Sequence, residues 1–176
     1  MNEECITALL SRRSVRKFKD ESVPETDLER ILEAGFSAPS AGNRQPWRVV
    51  VVRNEGTRNR LSRAAYDQEF IAEAPVVLVV CAVPSESAER YRERGRTLYV
   101  LQDTAALTEN ILLAAHIIGY GACWIGAFDE DLARSVVSVP DDMRPVAIIP
   151  IGKPSRPAPG RRSRRALSEV VVWESF

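Results

Sequence analysis

Ser37-Ala38-Pro39-Ser40-Ala41-Gly42-Asn43-Arg44-Gln45-Pro46-Trp47 runs almost directly into Val49-Val50-Val51-Val52. The first part is dense in small, turn-forming and amide residues. The second is a β-branched run of the kind that fills a buried strand. A polar loop delivered onto the end of such a strand is a common place for ligand contacts. Upstream, Pro24 followed by Glu25, Thr26 and Asp27 reads as a helix start, because carboxylates there complement the positive end of the helix dipole. Leu28, Ile31, Leu32 and Gly35 continue it as one helical face. Downstream, residues 56–66 predict a surface helix, Ala74-Pro75 introduces a second apolar strand from Val76 to Val83, and the charged stretch Pro84 to Arg96 reads as an exposed connection or short helix.

From Leu98 to Ile118 the chain is apolar around most of a helical circumference, which predicts a helix buried in a core or in a subunit interface. Gly119 and Gly121 end it. A third strand is expected over Ala122-Cys123-Trp124-Ile125-Gly126-Ala127-Phe128, a helix from about Glu130 to Val137, and a fourth strand from Pro145 to Gly152. There is no internal repeat, and residues 1–176 read as one domain. Helices and strands mix without strict alternation, so the expected class is α+β rather than a doubly wound parallel sheet. After a Pro-rich segment at 154–159 comes Val170-Val171-Val172-Trp173, an apolar, β-prone tail. Pairing it with a sheet edge would remove an aggregation liability. That edge belongs either to its own subunit or to a second copy, and in the latter case the protein is an intertwined dimer.

The 24 basic and 24 acidic residues cancel, so no overall field favours nucleic acid or an anionic membrane, and charge-driven binding has to be local. Cys5, Cys81 and Cys123 are odd in number and widely spaced, which argues for reduced thiols in the cytoplasm rather than a disulfide framework. With His116 the sole histidine, a zinc site is not expected, and His116 itself reads as a core or interface residue. Glu3 and Glu4 break the pattern of a signal peptide, and Asp103, Glu109 and Asn110 interrupt the longest apolar segment, so no membrane span is expected.

Local charge is concentrated in Arg12-Arg13-Ser14-Val15-Arg16, which follows a short amphipathic segment carrying Ile6, Leu9 and Leu10. Guanidinium forks and a hydroxyl suit a phosphate, at about 1.5–3 kcal/mol for each charge-assisted hydrogen bond. Basic runs near an N-terminus are also commonly solvated faces. The second run, Arg161-Arg162-Ser163-Arg164-Arg165, admits a solvated or polyanion-binding reading by itself.

Taken in order, the Arg-Ser-x-Arg-x-Phe stretch, Ala-Pro-Ser-Ala-x-Asn-x-Gln-Pro-Trp, Cys-Trp-Ile-Gly-x-Phe, and Gly-x-Pro followed by a basic run before a Trp-containing tail resemble the nitroreductase family of FMN-dependent oxidoreductases. The similarity extends from about residue 5 to Trp173. It implies a homodimeric α+β fold, with a mixed central sheet flanked by helices, an FMN in each of two interface clefts, and an exchanged C-terminal strand. By position, Arg12 and Ser14, with Arg13 beside them, match residues that hold the FMN phosphate and ribityl chain. Arg16 matches a cation at the flavin pyrimidine edge, where hydride addition at N5 leaves negative charge on N1 and O2. Pro39, Ser40, Ala41 and Asn43 match a loop around the isoalloxazine, contributed by the other subunit. Trp124, Ile125, Gly126 and Ala127 match the stretch lying against the ring, with the Gly126 and Ala127 N–H groups towards N5 and O4. Gly152, Arg162 and Arg164 match a C-terminal phosphate clamp.

The resemblance further implies an NADH- or NADPH-dependent reductase working by two-step exchange: hydride passes from the nicotinamide to N5, and then to a small planar acceptor such as a nitroaromatic or quinone in the same pocket. The flavin carries the chemistry, so no protein acid or base is expected. A narrower acceptor (an enone, a halogenated aromatic or flavin itself) and a non-catalytic flavin-binding redox module are the alternatives. Many relatives carry extra helices over the flavin. Residues 84–97 are the expected substitute here, with Tyr91, Arg92 and Arg94 either at the pocket mouth or simply on the surface.

Overall fold

The computed structural model describes residues 2–157, 160 and 163–176, with side chains described from residue 6 onward. The helices are α1 (Asn2–Ser11), α2 (Glu25–Phe36), α3 (Glu55–Ala64), α4 (Phe70–Glu73), α5 (Pro84–Arg94), α6 (Val100–Ile117) and α7 (Glu130–Val137). The strands are β1 (Trp47–Val52), β2 (Val76–Ala82), β3 (Gly121–Ala122) and β4 (Arg144–Gly152). Their order across the sheet is β1-β2-β4-β3, and every neighbouring pair is antiparallel. Among the described residues, the one parallel element is the bridge between Ser14 and Ala122. The class is α+β, as the mixed order of elements led us to expect.

β2 is buried along its whole length, because both faces of the sheet are covered. Val76, Leu78 and Val80 pack with Leu28 and Ile31 of α2 and Leu107 and Ile111 of α6 on one side. Val77 and Val79 pack with Leu61 of α3, Ile71 of α4 and Ala133 of α7 on the other. Alternation along one strand thus feeds two cores. The Asn54 side chain caps α3 by accepting the Thr57 N–H, and Asp129 caps α7 by accepting that of Leu132. Gly119, at φ 84°, terminates the α6 region in a conformation that a β-carbon disfavours.

One expectation needs correction, and the C-terminal tail stands apart from the sheet of its own chain. The strand foreseen over 122–128 is interrupted: Gly121 and Ala122 pair with β4, the chain then leaves the ladder, and Ile125 returns to it as an isolated bridge to Ile148. Val170 to Trp173 form no strand within the chain. A single 3₁₀ turn at Leu167–Glu169 precedes them, and Trp173 is 84% exposed. A β-branched sequence needs a free edge to pair with, and its own sheet does not bring one to it.

Candidate functional site

The basic cluster leaves α1 in extended conformation and is stitched to the β3 end of the sheet by a 3.0 Å bond from the Val15 N–H to the Ala122 carbonyl. Contact there is close enough that a β-carbon on Gly121 would lie 2.6 Å from the Val15 Cβ. Val15 points inward and is buried, so the two-residue alternation of an extended chain turns Ser14 and Arg16 to the other side. Burial raises the pKa of the nearby Cys123 thiol, against the opposing influence of Arg16, Ser14 and Arg12. Cys123 is thus a packed, protonated thiol. Arg16 also lies over the Phe70 ring, 5.8 Å from its centroid.

Among the described residues, the Arg12 side chain has one ion pair, at 3.6 Å with Glu109 on α6. Arg13 donates to the carbonyls of Leu10 and Arg12. Ser11 shares a 2.9 Å hydrogen bond with His116 Nε2. Burial holds the His116 pKa down, and the charges of Arg12 and Arg13 reinforce that direction.

Alongside lies the stretch 124–127. Ile125 exchanges two 3.0 Å backbone hydrogen bonds with Ile148, which fixes the backbone against β4. Ile125 is buried, whereas Trp124, Gly126 and Ala127 are exposed. No atom comes within 4 Å of the position a Gly126 β-carbon would take. This glycine has room for a side chain and carries none. Gln68 donates to the Ala65 carbonyl at 2.9 Å and to the Ala127 carbonyl at 3.4 Å, so it borders the same surface.

The loop 39–45 is built elsewhere. The Ser40 hydroxyl accepts the Gln45 N–H at 3.0 Å, the Asn43 N–H reaches the Ser40 carbonyl at 2.9 Å, and Gly42, Asn43 and Gln45 all have positive φ. Asp103 of α6 anchors the loop by accepting the Ala41 N–H at 3.0 Å. Burial raises the Asp103 pKa, with the Ala41 bond opposing that shift. Trp47 is buried in the core at the start of β1.

These two regions belong to opposite edges of the sheet. Residues 39–45 lead into β1, and residues 12–16 and 121–127 flank β3, three strand spacings or roughly 14 Å away across the ladder. One chain therefore puts Arg12, Arg13, Ser14 and Arg16 and the stretch Trp124, Ile125, Gly126 and Ala127 on the β3 side of the sheet, and Pro39, Ser40, Ala41 and Asn43 on the β1 side.

Gly152 closes β4, where a β-carbon would lie 2.6 Å from Pro75 Cδ, so its smallness serves packing. Beyond it the chain runs antiparallel to the start of the molecule. Lys19 N–H meets the Lys153 carbonyl at 2.8 Å, and Ser155 N–H meets the Lys17 carbonyl at 3.1 Å. Arg164 donates to the Ser163 carbonyl, and Arg162 lies outside the described residues. Neither the Gln68 contacts nor the anchoring role of Asp103 is expected from the sequence pattern. A carboxylate within an apolar helix was the available signal for Asp103.

The nitroreductase family's sequence profile matches residues 9–69 and 60–153. An Archaeoglobus fulgidus protein provisionally named NADH dehydrogenase/NAD(P)H nitroreductase is 35% identical over 156 residues, covering 86% of each chain. A Thermus thermophilus NADH dehydrogenase is 33% identical, covering 95% of this chain and 94% of its own. Among solved structures, NfrA2 of B. megaterium superposes with a TM-score of 0.90 at 25% identity, over 98% of this chain and 75% of its own. With the profile spanning most of the chain and these relatives matched nearly end to end, the protein belongs to the nitroreductase family and is an oxidoreductase.

Proposed function

We propose that the protein is an FMN-dependent NAD(P)H oxidoreductase that reduces planar, electron-poor acceptors such as nitroaromatics and quinones. The observation that carries this reading is the exposed Gly126, with nothing within 4 Å of its missing β-carbon, next to Ile125, which the bonds to Ile148 fix against β4. A flat ring can meet backbone N–H groups only where no side chain intervenes. The residues present fit FMN: cationic and hydroxyl donors gather at one end of this surface, and a bare backbone lies at the other.

Arg12, Ser14 and the C-terminal basic run would take the phosphate and ribityl chain. The Gly126 and Ala127 N–H groups would meet the polar edge of the ring, and Arg16 would neutralise charge at its pyrimidine end. Bound FMN would supply the hydride-transfer chemistry, taken from a nicotinamide and delivered to the acceptor. The protein positions both reactants and excludes water by stacking them in one cleft.

The separation of 39–43 from 12–16 supports a dimer in which each cleft is completed by the partner's loop. So does the apolar surface one chain leaves uncovered: Leu9 and Leu10 on α1 are 52% and 54% exposed, and Ile117 on α6 is 64% exposed. The uncovered edge of β1 offers the tail of a second copy a place to pair, whereas the β3 edge is already occupied by Ser14.

Anaerobic titration of the FMN-loaded protein with NADH and NADPH, followed by flavin absorbance, tests the reading. Bleaching by at least one nucleotide and recovery on adding a quinone is the expected result. Bound flavin that neither nucleotide bleaches would refute it.

A further inference from the structure

The segment 84–99 takes no part in the surface just described, yet it is built with unusual care. Arg90, Arg92, Arg94 and Arg96 stand at alternate positions and are all exposed. The neighbouring carboxylates Glu86 and Glu89 are engaged by Arg48 and Arg44. Among the described residues, none of the four arginines has a carboxylate partner.

Two of them form a ladder with aromatic rings. Arg90 lies over Tyr91 at 5.5 Å, Tyr91 meets Tyr99 edge-on at 5.1 Å, and Arg94 lies over Tyr99 at 5.3 Å while its Nε donates to the Tyr99 hydroxyl at 3.0 Å. The backbone is distorted to build it. Arg92 sits at φ 51°, ψ −133°, sparsely populated for a residue with a β-carbon, and Gly95–Tyr99 forms a π-helical turn at the head of α6. Gly95 permits the bend, since a β-carbon there would lie 2.4 Å from the Ser87 carbonyl oxygen. Such π-turns occur frequently at functional sites.

The ladder abuts the 39–45 loop: the Tyr91 hydroxyl stands 2.6 Å from the position a Gly42 β-carbon would take. Whichever subunit's flavin that loop meets, the ladder accompanies it. A nicotinamide stacked on the flavin leaves the remainder of its dinucleotide at the rim of the cleft, and in NADPH that remainder ends in an adenosine with a 2′-phosphate. Guanidinium and tyrosine faces stack on a purine, and unpaired guanidinium forks suit a phosphate dianion.

We propose that Arg90, Arg92 and Arg94, with Tyr91 and Tyr99, hold the phosphorylated adenosine end of NADPH and make the enzyme selective for NADPH over NADH. This rests on the reductase reading, but it can be measured without turnover. Adenosine 2′,5′-bisphosphate and AMP differ by the phosphate in question, so calorimetric titration of the FMN-loaded protein with each reads the site directly. The bisphosphate should bind the wild type at least tenfold more tightly than AMP. That preference should fall below threefold in Arg90→Ala/Arg92→Ala/Arg94→Ala and return in part when all three are lysine. Arg92→Gly, which relieves the backbone strain, keeps the test open if the triple variant folds poorly: it should lower the preference at least threefold with no loss of thermal stability. Equal binding of the two probes by the wild type, or an unchanged preference in Arg92→Gly, would overturn the proposal. A wild type that shows the preference while neither nucleotide bleaches its flavin would uphold the ladder and refute the reductase reading.

Discussion

Substitutions at Gly126 and Gly121 distinguish a glycine kept for a ligand, as proposed for Gly126, from one kept for the fold. The φ of Gly126 is not positive, and nothing lies within 4 Å of the missing β-carbon, so Gly126→Ala introduces neither strain nor a clash. Narrowing the unfolded ensemble should then stabilise the apo protein by about 0.4–1 kcal/mol, which at roughly 2–4 °C per kcal/mol raises Tm by a few degrees at most. Gly121→Ala is the control. Its new methyl would meet Val15 at 2.6 Å, an overpacking that costs about 1–3 kcal/mol and lowers Tm by several degrees.

Gly126→Leu should keep the fold and cover the backbone. Losing two N–H contacts to the ring, at about 0.5–1.5 kcal/mol each, weakens FMN binding roughly 10- to 100-fold. Calorimetric melting of the apo variants and fluorescence-quenching titration with FMN measure the two effects separately. Wild-type FMN affinity in Gly126→Leu, or an apo Gly126→Ala that no longer folds, would refute the reasoning.

Three further outcomes are expected. Arg12→Ala loses only a 3.6 Å surface ion pair with Glu109, worth about 0–1 kcal/mol, so Tm should hold while FMN affinity, measured by titration, drops tenfold or more. Deleting residues 166–176, whose side chains are all exposed in the single chain, should leave the subunit folded by circular dichroism and convert a dimer to monomers or aggregates in sedimentation. His116, with its folded pKa below the usual 6.5, favours the neutral imidazole, so its contribution to stability is fully present well above pH 6.5 and is lost as pH falls through the folded value. A phosphate on Arg12 and Arg13 cancels part of their opposition, and the His116 ring resonances should report a higher pKa with FMN than without it.

Elements that rest on local chemistry were legible in the sequence. Glu25 and Asp27 announce α2, and the β-branched runs at Val49 and Val76 announce β1 and β2. Elements that depend on a remote partner were not. The stretch 122–128 has the composition of a strand, yet its ladder partner β4 meets it only at Ala122 and Ile125, which leaves Trp124 and Gly126 exposed. Val170 to Trp173 has the same composition and, among the described residues, pairs with no strand of its own chain.

The motifs at 12–16 and 124–127 were visible as motifs, and their adjacency follows from the Val15–Ala122 bond. That the 39–45 loop stands at the other edge follows from the strand order, which no local pattern encodes. The contacts of Asp103 with Ala41 and of Gln68 with Ala127 span 62 and 59 residues, beyond the reach of any periodicity.

The central claim is that guanidiniums beside a bare glycine backbone hold a flavin by its phosphate. Parallel calorimetric titrations of the apo protein with FMN and with riboflavin, which share the ring and differ in the phosphate, test it most directly. Two or more charge-assisted bonds at about 1.5–3 kcal/mol each predict that FMN binds at least 100-fold more tightly. Equal affinity for the two, or no binding of either, would contradict it.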